Sequence, residues 1–290
     1  MGLSETLSLG FIAGVTILIG MPIGRMRSPR PNLRLMLNAV AIGVLVFLVW
    51  DVLAHAWEPI DSALSDVHNH TGGFAPVAGY GALFAGGLAV GLLGLVGYDR
   101  YLQRRKQAAG RGGPGAMSVD ERPPAIRGVA SWSKARQTAL LIAVGIGLHN
   151  FAEGLAIGQS AASGEVALAT VLVIGFALHN ATEGFGIVAP LAGDIDERGN
   201  TRRPSWLFLG MMALIGGGPT FVGTWVGHGF TSEAVSVAFL TLAAGSILYV
   251  VCQLIGVASR ANRMDLLATG LLIGLLAGFV TDAIVTAGGA

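Results

Sequence analysis

Charged side chains are scarce in this sequence. Asp, Glu, Lys and Arg make up 12% of its 290 residues, while apolar residues make up 53%. Soluble domains usually carry about 25% charged residues. This deficit excludes a soluble globular protein, and the mean hydropathy of +0.66 is that of an integral membrane protein.

Cysteine is nearly absent as well. The single thiol, Cys252, excludes an intrachain disulfide and a cysteine-based zinc finger. The first residues lack the basic segment of a signal peptide and run on into a full-length apolar stretch, so we expect the first span to be retained. The alternation of apolar and polar residues that marks a membrane β-barrel is also missing.

What the sequence does contain is long, mostly apolar runs. A membrane-spanning helix needs about 20 apolar residues, and eight segments meet this requirement. They are residues 6–24, 35–57, 76–98, 137–162, 166–191, 205–228, 234–257 and 265–287. We therefore expect an all-α, polytopic membrane protein in which residues 1–290 form one eight-helix domain.

The basic residues predict how these spans are oriented. All 18 Lys and Arg lie in alternate connections, at residues 25–34, 99–136, 198–203 and 260–263. The positive-inside rule places these connections in the cytoplasm and leaves both termini outside. The predicted location is the plasma (inner) membrane. The longest connection, 99–136, is rich in Gly, Pro and charge, and is predicted to be a flexible cytoplasmic loop.

The opposite connections carry acids and histidines without a basic residue. The densest segment is EPIDSALSDVHNH at residues 58–70. Most such residues are simply solvated, but together they indicate an outer face that attracts cations.

Two copies of one polar motif lie inside consecutive spans. LHNFAEGLAIG occupies residues 148–158, and LHNATEGFGIV occupies residues 178–188. Each copy places a histidine and a glutamate four residues apart, on one face of a helix. The two pairs are His149 with Glu153 and His179 with Glu183. Charged groups inside a bilayer cost a few kcal/mol each and usually face a pathway.

A third pair, Asp51 and His55 in the second span, has the same spacing. Imidazole and carboxylate together suit Zn²⁺, with Fe²⁺, Co²⁺, Ni²⁺ and Mn²⁺ as alternatives. Glu153 and Glu183 bring two negative charges, and no Lys or Arg lies within the predicted spans. A divalent cation is therefore the expected counter-ion.

The asparagine that follows each motif histidine points about 100° round the helix from it. Asn150 and Asn180 either coordinate through the side-chain oxygen or orient the ligands.

Three other interpretations remain open. The polar residues could serve only as hydrogen-bonded contacts between helices. The protein could also be a metal-dependent intramembrane hydrolase, although it lacks an HExxH motif, or a metal sensor that retains its ion. Uptake into sealed vesicles separates these classes from a transporter.

At these motifs the sequence resembles the ZIP (Zrt- and Irt-like) family of divalent metal transporters. HNFAEGLAIG is the specific part, and DVLAHAWEP at 51–59 is similar to the family's second-helix pattern, in which a histidine precedes a helix end marked by proline. The resemblance implies eight spans with external termini, inward transport by sliding helices, and often a homodimer. It implies a transporter in the lipid bilayer rather than an enzyme, with no resident cofactor and no nucleic-acid partner. The metal site it implies consists of His55, His149, Glu153, His179 and Glu183, with Asn150 and Asn180 toward a second metal position.

The sixth span departs from the family pattern. Gly218 stands before Pro219, where relatives often carry a glutamate. With Asn180 also neutral, we expect one strong site rather than two. Asp282, in the eighth span, is left outside the predicted site.

Overall fold

The computed structural model describes residues 1–25, 31–110, 128–164, 166–195, 202–229 and 232–287. Within these ranges the fold is all-helical and contains no β-strand. The helices are α1 Leu3–Val15, α2 Pro31–His68, α3 Phe74–Gly110, α4 Lys134–Ala162, α5 Val166–Val188, α6 Trp206–Gly229, α7 Glu233–Ala258 and α8 Met264–Ala287. Eight helical segments of the described chain are long and apolar enough to cross a membrane, which confirms the predicted number of spans.

The first span is not the continuous helix expected over residues 6–24. α1 ends at Val15, and the chain continues as 3-10 turns, Thr16–Ile19 and Met21–Arg25. Pro22 lies in the second turn and has no N–H to donate to an α-helical bond. Gly20 lies so close to α5 that a Cβ there would meet the backbone of Gly184. The break therefore lets this span approach the motif-bearing helix.

The second span is longer than the prediction of 35–57. α2 has 38 residues and continues through Pro59 to His68. The expectation of a helix end at Pro59, taken from the family pattern, was therefore wrong. Pro59 removes only the hydrogen bond to the carbonyl of His55. Residues 58–68, expected as part of a loop, extend α2 instead. His70, just beyond the helix, has a φ of 59°.

The connection 99–136 is also partly helical. α3 continues to Gly110, so residues 99–110 are not part of a flexible loop. Residues 111–127 lie outside the described residues. The Lys134 ammonium lies 2.9 Å from a carboxylate oxygen of Asp99, which links the start of α4 to α3.

Helix α4 lies at the centre of the fold and packs against α5, α6 and α7. Its contact with α6 is made by backbone rather than by large side chains. A Cβ on Gly154 would overlap the carbonyl oxygen of Thr220, and one on Gly223 would overlap that of Phe151. Small residues are the usual means of close helix approach in lipid. This α4–α6 seam holds the first copy of the motif in the interior.

Two arginines tie helix ends to the chain between α5 and α6. The Arg25 guanidinium donates to the carbonyl of Pro204 and lies 4.8 Å from the ring centroid of Trp206. Arg136 Nε donates to Asp194 Oδ2 at 3.0 Å, and Asp194 is buried. The first span and α4 are thus fastened to the same connection.

Candidate metal centre

The two motif copies face each other across α4 and α5. His149 and Glu153 lie one turn apart on α4, and His179 and Glu183 lie one turn apart on α5. All four side chains are at least nine-tenths buried. Because burying a carboxylate without a partner is costly, the arrangement calls for compensating positive charge.

Glu153 lies between the two histidines. Its Oε1 is 2.8 Å from His149 Nε2 and also contacts Nε2 of His179 on the other helix. The approach to His149 does not have hydrogen-bond geometry, and this nitrogen has no hydrogen-bond partner among the described residues. One carboxylate oxygen thus faces two imidazole nitrogens, an arrangement that a shared cation or proton satisfies.

Glu183 brings the second carboxylate. Its Oε1 lies 4.0 Å from His149 Nε2 and has no hydrogen-bond partner in the described chain. Ligand atoms of His149, His179 and Glu183 all lie within 4.8 Å of one another. Zinc takes nitrogen and oxygen ligands at about 2.0–2.2 Å. Atoms at this spacing need only small movements to surround one ion.

The motif asparagines hold the two helices in place through their amide nitrogens. Asn150 Nδ2 donates to Glu183 Oε2 at 3.2 Å and to the carbonyl of Gly216 on α6 at 3.0 Å. Asn180 Nδ2 donates to the carbonyl of Ala13 on α1 at 3.0 Å. Neither amide oxygen has a partner among the described residues, so both remain available as acceptors.

A cavity of about 380 Å³ leads to this cluster. Its wall includes His149, Glu153 and His179, and it also includes polar residues of α2 and α8. His55 is more exposed, at 59% of its side chain, and its Nδ1 lies 2.9 Å from the backbone oxygen of Asp51. The cavity therefore joins the buried cluster to residues nearer the surface.

The structure brings together five of the eight predicted site residues. His149, Asn150, Glu153, His179 and Glu183 form one contact network. Asn180 points its amide nitrogen to α1 instead. Asp51 and His55 line the cavity but are not in the convergent group found among the described residues. The role of all eight residues as ligands stays a prediction.

Asp282, which the sequence-based prediction left outside the site, lies beside it. This residue of α8 lines the same cavity as Asp51, although the two are far apart in the chain. The sequence did contain a signal for Asp282, because it is an ionisable residue within a span.

Apart from the imidazoles, the ionisable side chains of the site are all acidic. Four carboxylates belong to the cluster or the cavity wall: those of Asp51, Glu153, Glu183 and Asp282. No Lys or Arg is present among the described residues of either. Such a site attracts cations, and its imidazoles favour a first-row metal over Ca²⁺ or Mg²⁺.

The fold and the cluster together define a multi-pass membrane protein with a buried group of imidazole and carboxylate side chains between its spans, of the types that bind metals. Residues 103–285 match the family model described as ZIP Zinc transporter, which covers more than half of the chain. The chain belongs to this family.

Curated relatives carry the name Zinc transporter ZupT. The protein of Salmonella arizonae is 29% identical over 161 residues, which are 56% of this chain and 52% of the relative. Those of Salmonella paratyphi A and Salmonella newport are each 28% identical over 170 residues, with the same shares. The chain thus spans about half the length of the curated relatives it matches.

Proposed function

We propose that this protein transports Zn²⁺, or a similar first-row divalent ion, across the membrane through the cluster of His149, Glu153, His179 and Glu183. The observation that carries the proposal is the convergence of two imidazoles and two carboxylates between neighbouring spans, without a basic residue among their described neighbours. Membership of the ZIP family and the printed name of the relatives support zinc as the substrate.

The cavity supplies the route to the cluster. Asp51, His55 and Asp282 line its wall together with the ligand side chains. A hydrated cation entering it exchanges water for oxygen and nitrogen ligands step by step, which reduces the cost of leaving water. Asp51 and His55 thus act as a first position on the path, before the buried ligands.

The direction of transport follows from the charges. The α2 residues that line the cavity lie between residues 47 and 55, on the side of the cluster toward the helix end that carries acids and histidines, and the basic connections lie at the other ends of the spans. With the basic connections in the cytoplasm and both termini outside, the ion moves into the cell through the plasma membrane. A homodimer of this single eight-helix domain, as the family resemblance implies, is part of the proposal.

Uptake by purified protein in sealed proteoliposomes tests this function. A zinc-sensitive dye inside the vesicles should brighten when zinc is added outside, and empty vesicles should stay dark. A retained ion at one equivalent per protein, without filling of the lumen, would indicate a sensor. Failure to move Zn²⁺, Fe²⁺, Mn²⁺, Co²⁺ and Cd²⁺ alike would rule out transport. Zinc-dependent cleavage of lipid or peptide would instead indicate a hydrolase.

A further inference from the structure

An apolar groove of about 900 Å³ lies between the first span and α6, away from the metal centre's own cavity. It is lined by residues of α1, of the 3-10 turn Thr16–Ile19 and of α6, and by Phe151 of α4. Every lining residue belongs to a segment long and apolar enough to cross a membrane. Side chains on its rim are exposed, at 59% for Phe11 and 71% for Leu214. This α1–α6 groove therefore faces the hydrocarbon of the bilayer.

Glycines account for the shape of the α1–α6 groove. Gly14 and Gly217 bring the backbones of the two spans into contact, because a Cβ on either would overlap the carbonyl oxygen of the other. Gly210, also in the lining, is open instead, since a Cβ there would meet nothing within 4 Å. The spans thus touch, and the missing side chains leave a furrow along their contact. Atoms that line an unfilled furrow lose dispersion contacts, so an apolar occupant is favoured.

The length of the groove indicates what fills it. Its lining extends over residues 210–222 of α6, about 18 Å at 1.5 Å per residue. This is slightly more than half of a hydrocarbon layer about 30 Å thick, which is the depth of one leaflet. A lipid acyl chain extends over that depth. A helix of a second copy is about 10–12 Å wide and cannot enter between spans whose backbones touch.

One end of the groove carries a positive charge. Gly210 lies one turn after Trp206, and the Arg25 guanidinium lies 4.8 Å from the Trp206 ring centroid. The bond to the carbonyl of Pro204 uses one of the five N–H groups of this guanidinium. No carboxylate of the described residues forms an ion pair with Arg25. Guanidinium matches phosphate in geometry and charge, and this is the end of the spans predicted to face the anionic cytoplasmic leaflet.

We propose that the α1–α6 groove binds one acyl chain of an anionic phospholipid, whose phosphate is held by Arg25. The apolar lining fits the chain, the length fits one leaflet, and the arginine supplies the charge that a phosphate requires. The groove also adjoins the metal centre, because Gly217 in its lining follows Gly216, whose carbonyl accepts the hydrogen bond from Asn150. The bound chain therefore stabilises the segment of α6 that holds Asn150.

The headgroup is tested by native mass spectrometry of the purified protein after lipid has been removed. The protein is titrated with phosphatidylglycerol or with phosphatidylcholine of the same acyl chains, which gives the number of bound lipids and their affinities. One phosphatidylglycerol should bind about fivefold more tightly than phosphatidylcholine, since one arginine near the membrane surface contributes about this factor. Arg25→Gln should remove the preference. Arg260→Gln, an exposed arginine outside the groove, should retain it.

The acyl chain is tested by filling the groove. Gly210→Phe should weaken the binding of both lipids by about tenfold, because the ring takes the place of about two methylenes of the chain. Gly256→Phe on α7 is the matched control, since a Cβ there also meets nothing within 4 Å and the residue lies outside the groove. Phosphatidylglycerol should raise the thermal unfolding midpoint of the wild type and of Gly256→Phe more than that of Gly210→Phe.

Three results would overturn the assignment. One is wild-type lipid affinity in Gly210→Phe, and another is a preference for phosphatidylglycerol that survives Arg25→Gln. The third is a lipid-free dimer that Gly210→Phe dissociates, because a second copy of the chain would then cover the groove. None of these measurements uses zinc. The lipid site can therefore fail while the proposed transport stands, and the reverse holds as well.

Discussion

Asn150 on α4 donates a hydrogen bond to Glu183 on α5, at 3.2 Å, and so connects the first motif copy to the carboxylate of the second. The same amide nitrogen reaches the carbonyl of Gly216 on α6. One side chain thus sets the orientation of a ligand on a different helix. Substitution of Asn150 should affect the metal centre without removing any imidazole or carboxylate.

Asn150→Ala should reduce the initial rate of zinc uptake by about tenfold, because Glu183 loses a partner that orients it. Asn150→Asp should be worse, since a third carboxylate replaces the amide donor. Uptake is measured in proteoliposomes at saturating zinc. Asn180→Ala serves as the control, because its amide contacts Ala13 rather than a ligand. An equal loss in both variants would indicate that Asn150 only packs helices together.

Glu153→Ala and Glu183→Ala should each abolish uptake, because each removes a ligand and half of the cluster's negative charge. His149→Ala and His179→Ala should be nearly as damaging. Initial rates are normalised to the folded protein in the membrane, since an unbalanced buried charge also lowers expression. His55→Ala should retain measurable uptake, because His55 lies in the cavity wall rather than in the cluster. Wild-type rates in both glutamate variants would place the site elsewhere.

Metal affinity should fall as the pH is lowered from 7.5 to 5.5. An imidazole must lose its proton to bind a metal, so protons and metal compete for His149 and His179. Because metal binding must displace any proton held by either imidazole, we expect a loss of at least about tenfold over this range. Calorimetric zinc titration of the protein in detergent measures the change. Equal affinity at both pH values would contradict histidine ligation.

The α4–α6 seam should be intolerant of even one methyl group. Gly223→Ala would drive a Cβ into the backbone of Phe151, at a cost of about 1–3 kcal/mol. The thermal unfolding midpoint in detergent should therefore fall. Gly210→Ala, on the same helix, meets nothing within 4 Å and should leave the midpoint unchanged or slightly higher. Equal midpoints for the two variants would show that the seam relaxes freely.

Much of this architecture could be predicted because the bilayer imposes simple rules. Span number follows from apolar length, and the pairs His149–Glu153 and His179–Glu183 follow from helical periodicity. The contact between the two copies could not be derived from spacing, since it depends on how α4 and α5 pack. The position of Asp282 in the cavity wall could not be derived from the sequence either, because α2 and α8 are remote in sequence and adjacent in space.

The errors concern helix ends rather than the number of helices. Hydropathy marks where a helix leaves the apolar layer, not where it stops, so the extensions of α2 to His68 and of α3 to Gly110 were missed. The break after Val15 was missed for the opposite reason. Apolar residues continue through Pro22, and only the backbone geometry changes there.

The length of α2 should make cation capture sensitive to the thickness of the membrane. The helix is about 57 Å long at 1.5 Å per residue, whereas the hydrocarbon layer is about 30 Å thick. Measured from Pro31, Asp51 lies about 30 Å along the axis, a distance comparable with the thickness of that layer. A thicker bilayer would surround Asp51 and His55, which line the cavity, with hydrocarbon, and a thinner one would leave them in water. Cation capture should therefore vary with acyl-chain length.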